Sequence, residues 1–167
     1  LQLLNCTVDF DVFAGTSAGG INAAANALAA ATGGTTESLG QTWVEMGSLL
    51  DLLRSPLEKD PPSLMYGDRR LLEGLRNGLD GVRGQGLVGE REYPKLAITT
   101  TFVKGEATCF RDDFGTLVQD VDHRGLFTFT TDSLVSHGSV DALALAARST
   151  ASFPVAFEAS RLPVGQA

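Results

Sequence analysis

Histidine, cysteine, tryptophan and basic residues are all scarce in this chain of 167 residues. Thirteen Lys plus Arg stand against twenty Asp plus Glu, a formal net charge of −7. An acidic surface repels phosphate backbones, which argues against a nucleic-acid partner. No polybasic stretch is present to hold an anionic membrane. Two cysteines, Cys6 and Cys109, cannot build a disulfide scaffold and do not sit at metal-ligand spacing. They read as free, small hydrophobes. No apolar run approaches the roughly 18 residues that a membrane span requires. Hydrophobic residues are nonetheless 43% of the chain, so disorder and low complexity are excluded. The length suits one domain. The chain begins with Leu1 rather than Met, which points to a processed chain or a fragment. No signal-like segment is visible; the compartment is left open, with a cytoplasmic or peripheral membrane location favoured.

What is present alternates between two periodicities. An apolar, partly β-branched run predicts a buried strand over Thr7–Ala14, interrupted by Asp9 and Asp11. Beyond Gly15, Ile21, Ala24, Ala25, Leu28 and Ala31 recur at helical spacing, so Ala18–Ala31 reads as a helix ended by Gly33-Gly34. Leu39, Trp43, Met46, Leu50 and Leu53 form one stripe of a second helix over Thr36–Leu53. Asp68 is the expected N-cap of a third, with Leu71, Leu72, Leu75 and Leu79 facing inward. Residues 78–91 carry five glycines and read as an exposed loop. Lys95–Val103 and Ala107–Arg111 read as a hairpin turning at Lys104-Gly105-Glu106, and Leu126–Thr131 as a further short strand. Ser139 is expected to cap a last helix through Arg148. Alternating strand and helix signals give an α/β domain.

The motif with chemical content is Gly15-Thr16-Ser17-Ala18-Gly19, a G-x-S-x-G between the first strand and the first helix. That context is what a nucleophile elbow requires. The chain must reverse sharply there, which strains the serine backbone and pushes its hydroxyl outward. Gly15 and Gly19 lack Cβ atoms, so strand and helix can approach closely. Ser17 would head the helix, where unpaired amides and the dipole favour developing negative charge. The Ala18 amide is the natural first oxyanion donor, and Ser17 the candidate nucleophile. The alternative is a small-residue turn with no chemistry; the strand-to-helix placement favours the elbow.

Residues Asp11 to Asn22 closely resemble the nucleophile segment of patatin-like phospholipases, in which the form Gly-Thr-Ser-x-Gly-Gly is typical. A second block, Leu145 to Phe157, looks like that family's Ala-Arg helix end followed by a Pro-x-x-Phe turn. Phe110–Gly115 and Asp122–Gly125 are similar to a bacterial subgroup of patatin-related proteins. The resemblance implies a three-layer α/β/α sandwich with a central, mostly parallel sheet. It also implies a Ser-Asp dyad: the serine attacks an ester carbonyl, an aspartate takes its proton, and water hydrolyses the acyl-enzyme. The implied substrate is a lipid or phospholipid ester, with peripheral membrane contact and no metal or organic cofactor. Oligomeric state is not legible.

Two parts of the family pattern have no match. Fourteen residues precede Gly15 and none is glycine, whereas the family's Gly-rich oxyanion loop precedes the nucleophile strand. No Asp-Gly turn follows the Phe153-Pro154 block, and Asp80-Gly81 comes too early in chain order. The expectation is that residues 1–167 form a single domain fragment, incomplete at both ends. One lost oxyanion donor alone costs about 2.7–4 kcal/mol. This piece is therefore expected to be nearly inactive and the parent protein active. A catalytically dead module that binds lipid or a partner is the alternative.

Weaker signals have plainer readings. Ser17, Asp132 and His137 have the chain order of an α/β-hydrolase triad, but that leaves the second block unexplained, and His123 and His137 read as loop or surface residues. Gly84 to Gly89 is a formal G-x-G-x-x-G without a leading strand and reads as a loop. Asp112, Asp113, Asp120 and Asp122 fit no calcium loop and read as a solvated acidic turn. Leu49, Leu50, Leu52, Leu53 and Leu57 suggest a lipid-facing lid, although apolar residues on several sides of a helix favour burial. Arg148 reads as an ion-pair partner near the elbow rather than a head-group contact.

Overall fold

The computed structural model describes residues 9–85 and 94–163. Strand β1 is Val12–Gly15 and helix α1 is Ala18–Thr32. Helices α2, Glu37–Met46, and α3, Leu49–Leu52, follow. A π-helical turn, Gly67–Leu72, leads into α4, Glu73–Val82. Strands β2, Lys95–Arg111, and β3, Leu117–Phe129, form a long hairpin. Helices α5, Thr131–Val135, and α6, Ser139–Thr150, close the order.

The α/β expectation holds. The sheet runs β1-β2-β3, with β1 parallel to β2 and β2 antiparallel to β3. Side chains alternate across it. Phe13, Leu96, Ile98, Phe127 and Phe129 share one face and pack on the helical core. Leu28, Leu75, Leu79, Leu134 and Leu143 are wholly buried there, each worth about 1.5–3 kcal/mol relative to exposure. The opposite face carries Val12 and Leu126, 63% and 60% exposed, and is uncovered among the described residues.

Helix α1 follows its sequence signal. Gly33 adopts φ 69° after it, and the Gly34 amide donates to the Ala29 carbonyl at 3.0 Å, a Schellman ending. Other expectations are corrected. The first strand starts only at Val12; Asp9–Asp11 precede it, since aspartate disfavours strands, and residues 7–8 lie outside the described residues. The second helix breaks at Gly47-Ser48, where glycine weakens the helix. Leu50 and Leu57 are 83% and 92% exposed and Leu53 is also exposed, so the expected burial fails for these three leucines.

The glycines read as a loop from residue 78 are partly helical. Gly78 lies against Thr42 and Gly81 against Ser38, letting α4 pack closely on α2. The formal motif ending at Gly89 lies outside the described residues from Gly86 onward. Helix α6 begins at Ser139, but Gly138 occupies the cap position, and the helix runs on to Thr150.

The hairpin also turns elsewhere. Strand β2 continues through Lys104-Gly105-Glu106, and the reversal comes at Asp112–Thr116. There Asp112 Oδ1 accepts from the Phe114 and Thr116 amides at 2.9 and 2.8 Å, and Gly115 takes φ 81°. An Asp-initiated turn with a left-handed glycine is stronger turn chemistry than Lys-Gly-Glu. Leu126 therefore belongs to the end of β3, not to a separate strand. At Gly105 a Cβ would stand 2.5 Å from Val121 Cγ1, so that glycine serves close strand approach instead.

Candidate active site

Ser17 stands between β1 and α1 with φ 54° and ψ −128°, a conformation that non-glycine residues adopt only under strain. Its side chain is exposed and makes no capping hydrogen bond, although it occupies the N-cap position. Its carbonyl accepts from the Gly20 and Ile21 amides at 2.9 and 3.2 Å. The Ala18 and Gly19 amides head the helix, one position short of any helical acceptor. The glycines of this turn divide the work differently from the sequence expectation. A Cβ on Gly15 would collide with the Gly19 carbonyl, so Gly15 is obligatory. A Cβ on Gly19 would meet nothing, so close approach is not its role. Gly20 is the second tight position, with Thr150 Cγ2 2.7 Å from where its Cβ would stand.

Two threonines fix this turn from outside. Thr150 Oγ1 accepts the Ser17 backbone N–H at 2.7 Å. The hydroxyls of Thr16 and Thr99 are 2.5 Å apart, tying the turn to β2. Sequence reading missed both, because a threonine at a helix end or in a strand carries no local signal of a contact 83 or 133 positions away.

Ser17 opens into a cleft of about 950 Å³. One wall is β2, from Thr99 to Lys104, with His123 of β3 beside it. The other is the end of α6 and the turn after it, with Phe153, Pro154, Phe157 and Leu162. No carboxylate lines the cleft among the described residues. His123 enters it, but its Nδ1 bonds the Phe102 carbonyl at 2.7 Å, and no hydrogen bond joins it to Ser17. His137 and Asp132 lie outside the cleft, and so does Asp80, which is inside α4. The triad order Ser17, Asp132, His137 is therefore not assembled.

The second wall is anchored by a buried ionic cluster. The Arg148 side chain is fully buried and donates to the Glu158 carbonyl at 2.7 Å and to the Ser152 hydroxyl. Asp68 lies 3.4 Å from Arg148 Nε, and the Glu158 carboxylate 3.9 Å from Nη2. Burial pulls the guanidinium below its ordinary pKa, while Asp68 and Glu158 push back. The Glu158 carboxylate accepts from the Ser63 hydroxyl at 2.7 Å and from the Gly67 and Asp68 amides at 3.1 and 2.9 Å. Burial raises its pKa, but these hydrogen bonds win and hold it at about 2. Glu158, not Asp68, thus caps the third helix, and Arg148 has the structural role expected of it.

The remaining candidates are spent elsewhere or stand apart. Asp112 is used in the hairpin turn, and Asp122 bonds Arg124 at 2.8 and 2.9 Å. No group of three or more His, Cys, Asp or Glu among the described residues is arranged to hold a metal ion. Cys109 is free and exposed on β2, and Cys6 lies outside the described residues. No helix among the described residues is long and apolar enough to cross a membrane.

The sequence pattern of the patatin-like phospholipases matches residues 2–165. The chain is also 47% identical, over 98% of its length, to the uncharacterized membrane protein Rv3479 of Mycobacterium tuberculosis. It spans 16% of that relative's length. No solved structure matches the chain with significance. With nearly every residue inside the family pattern, the chain belongs to the patatin-like phospholipases, a family of lipid acyl hydrolases with an α/β/α sandwich fold.

Proposed function

We propose that Ser17 is the nucleophile of a lipid acyl ester hydrolase. The observation that carries this reading is the strained, exposed Ser17 whose hydroxyl is left uncapped above a cleft. Its Oγ adds to the ester carbonyl carbon, and the oxyanion is taken by the Ala18 amide with the helix dipole behind it. The tetrahedral intermediate collapses, the alcohol leaves with the serine proton, and water then releases the fatty acid from the acyl-enzyme. The general base is an aspartate supplied from outside the described residues, since none of those lining the cleft is acidic. Val103 and Phe153, 81% and 72% exposed at the cleft, would meet lipid at a membrane surface.

Fluorophosphonate labelling of the full-length protein tests the assignment. Wild type should label, and Ser17→Ala should not; labelling that survives the substitution rejects Ser17. A lipid-binding module without catalysis is the second reading, favoured by the missing carboxylate. It predicts lipid binding with neither labelling nor ester turnover.

A further inference from the structure

The pairing of β2 with β3 is broken once, beside the cleft. Thr101 pairs with Arg124 and Glu106 with Asp122, so four residues, 102–105, oppose His123 alone. A bulge of this kind re-aims side chains and is frequent next to active sites. Here it turns Phe102, Val103 and Lys104 onto the cleft wall with His123. Lys104 lies five positions along β2 from Thr99, which is beside the elbow, at most about 16 Å of strand. Lysine's flexible four-carbon stem shortens that gap and leaves room for a phosphodiester between its ammonium and the elbow.

The two polar groups of this wall have different chemistry. Lys104 has no ion-pair partner among the described residues, and no carboxylate lines the cleft to neutralise it. The nearest acid on β3, Asp122, is committed to Arg124. His123 is oriented by the Phe102 carbonyl, which can only accept, so Nδ1 carries the proton. In the tautomer that this bond fixes, Nε2 is the acceptor, suited to a hydroxyl and not to an anion. The opposite wall, with Phe153, Phe157 and Leu162, suits an acyl chain.

We infer that the β2 bulge is a headgroup-recognition element that selects acyl esters of an anionic phosphodiester bearing a free hydroxyl. Lys104 takes the phosphodiester and His123 Nε2 accepts from the headgroup hydroxyl. Choline is disfavoured twice, because its cation faces Lys104 and it has no hydroxyl to give. The inference rests on Ser17 marking the reacting end of the cleft, but binding tests it apart from turnover.

The experiment measures Kd of the full-length protein for short-chain diether lipids, kept below micelle formation. They carry phosphoglycerol, phosphomethanol or phosphocholine headgroups. Wild type should bind in that order, with phosphoglycerol about tenfold tighter than phosphocholine. Lys104→Gln should erase the advantage of phosphomethanol over phosphocholine, and Lys104→Arg should keep it. His123→Phe should erase only the advantage of phosphoglycerol over phosphomethanol. Lys59→Gln, at an exposed position that does not line the cleft, controls for net charge and should keep the wild-type order. An unchanged order in a folded Lys104→Gln variant overturns the inference, as does wild-type preference for phosphocholine. Displacement by glycerol 3-phosphate as readily as by the ether lipid would overturn it too. Loss of ester turnover with this binding order intact would instead reject the hydrolase reading.

Discussion

The side chain of Thr150 holds the backbone of Ser17: its Oγ1 accepts the serine N–H at 2.7 Å across 133 positions of sequence. The acceptor sits where the backbone is strained. Its Cγ2 also fills the space that a Cβ on Gly20 would need. Thr150→Val keeps the shape and deletes the acceptor, leaving a strained amide unpaired. One such loss is worth about 1–3 kcal/mol. The fluorophosphonate labelling rate and kcat of the full-length protein should fall roughly tenfold to hundredfold, with KM little changed. Thr150→Ser should restore both to within about threefold, since it retains the hydroxyl. Wild-type labelling in the valine variant would show that the elbow holds itself.

Glu158 makes stability depend on acid. Its folded pKa of about 2 lies below the usual carboxylate value, so its contribution is complete above about pH 4.5 and is lost as pH falls toward 2. Glu158→Gln should cost about 2 kcal/mol at neutral pH, because Arg148 loses one of its two carboxylate partners and the Gly67 and Asp68 amides lose a charged acceptor. The gap between wild type and variant should close as pH drops through that window. Urea melts at a series of pH values measure it, and a gap that stays constant with pH would refute the assignment.

Two glycine-to-alanine substitutions should move stability in opposite directions. A Cβ on Gly34 would overlap the Val82 carbonyl, and no side chain can move aside to relieve it. Gly34→Ala should cost about 3 kcal/mol. Gly40, inside α2, faces open space, so Gly40→Ala should gain about 0.5–1 kcal/mol from helix propensity alone. Thermal melts of both variants compare the two directly.

Val155 has φ 72°, which a β-branched residue tolerates poorly, and its side chain is 75% exposed. The strain is held by the Leu64 amide donating to the Val155 carbonyl at 3.0 Å and the Met65 amide donating to that of Ala156 at 2.8 Å. Val155→Gly should raise stability by about 1 kcal/mol, where Val→Gly elsewhere destabilises. A lowered melting temperature would mean that the side chain packs after all.

Much of the site was legible because its signals are local. Gly15, Ser17 and the alanine run report a strand, a turn and a helix within twenty consecutive residues, and both family blocks are contiguous. The hairpin was misplaced because Gly105 looks like a turn residue, whereas its missing side chain admits Val121 from the facing strand. Gly78 and Gly81 misled in the same way, by serving helix contact. Glu158 was invisible as a cap, since the amides that it accepts from lie 90 and 91 positions away. Thr150 and His123 likewise take their roles from tertiary contacts that no period of two or 3.6 encodes.

The ninety-residue reach of Glu158 has a kinetic consequence. Contacts of such high sequence separation demand costly loop closure and form slowly. One flank of the cleft is therefore finished only when the last described stretch docks onto Gly67 and Asp68. During synthesis, a chain released early would carry the Ser17 hydroxyl on a half-built rim until folding ends.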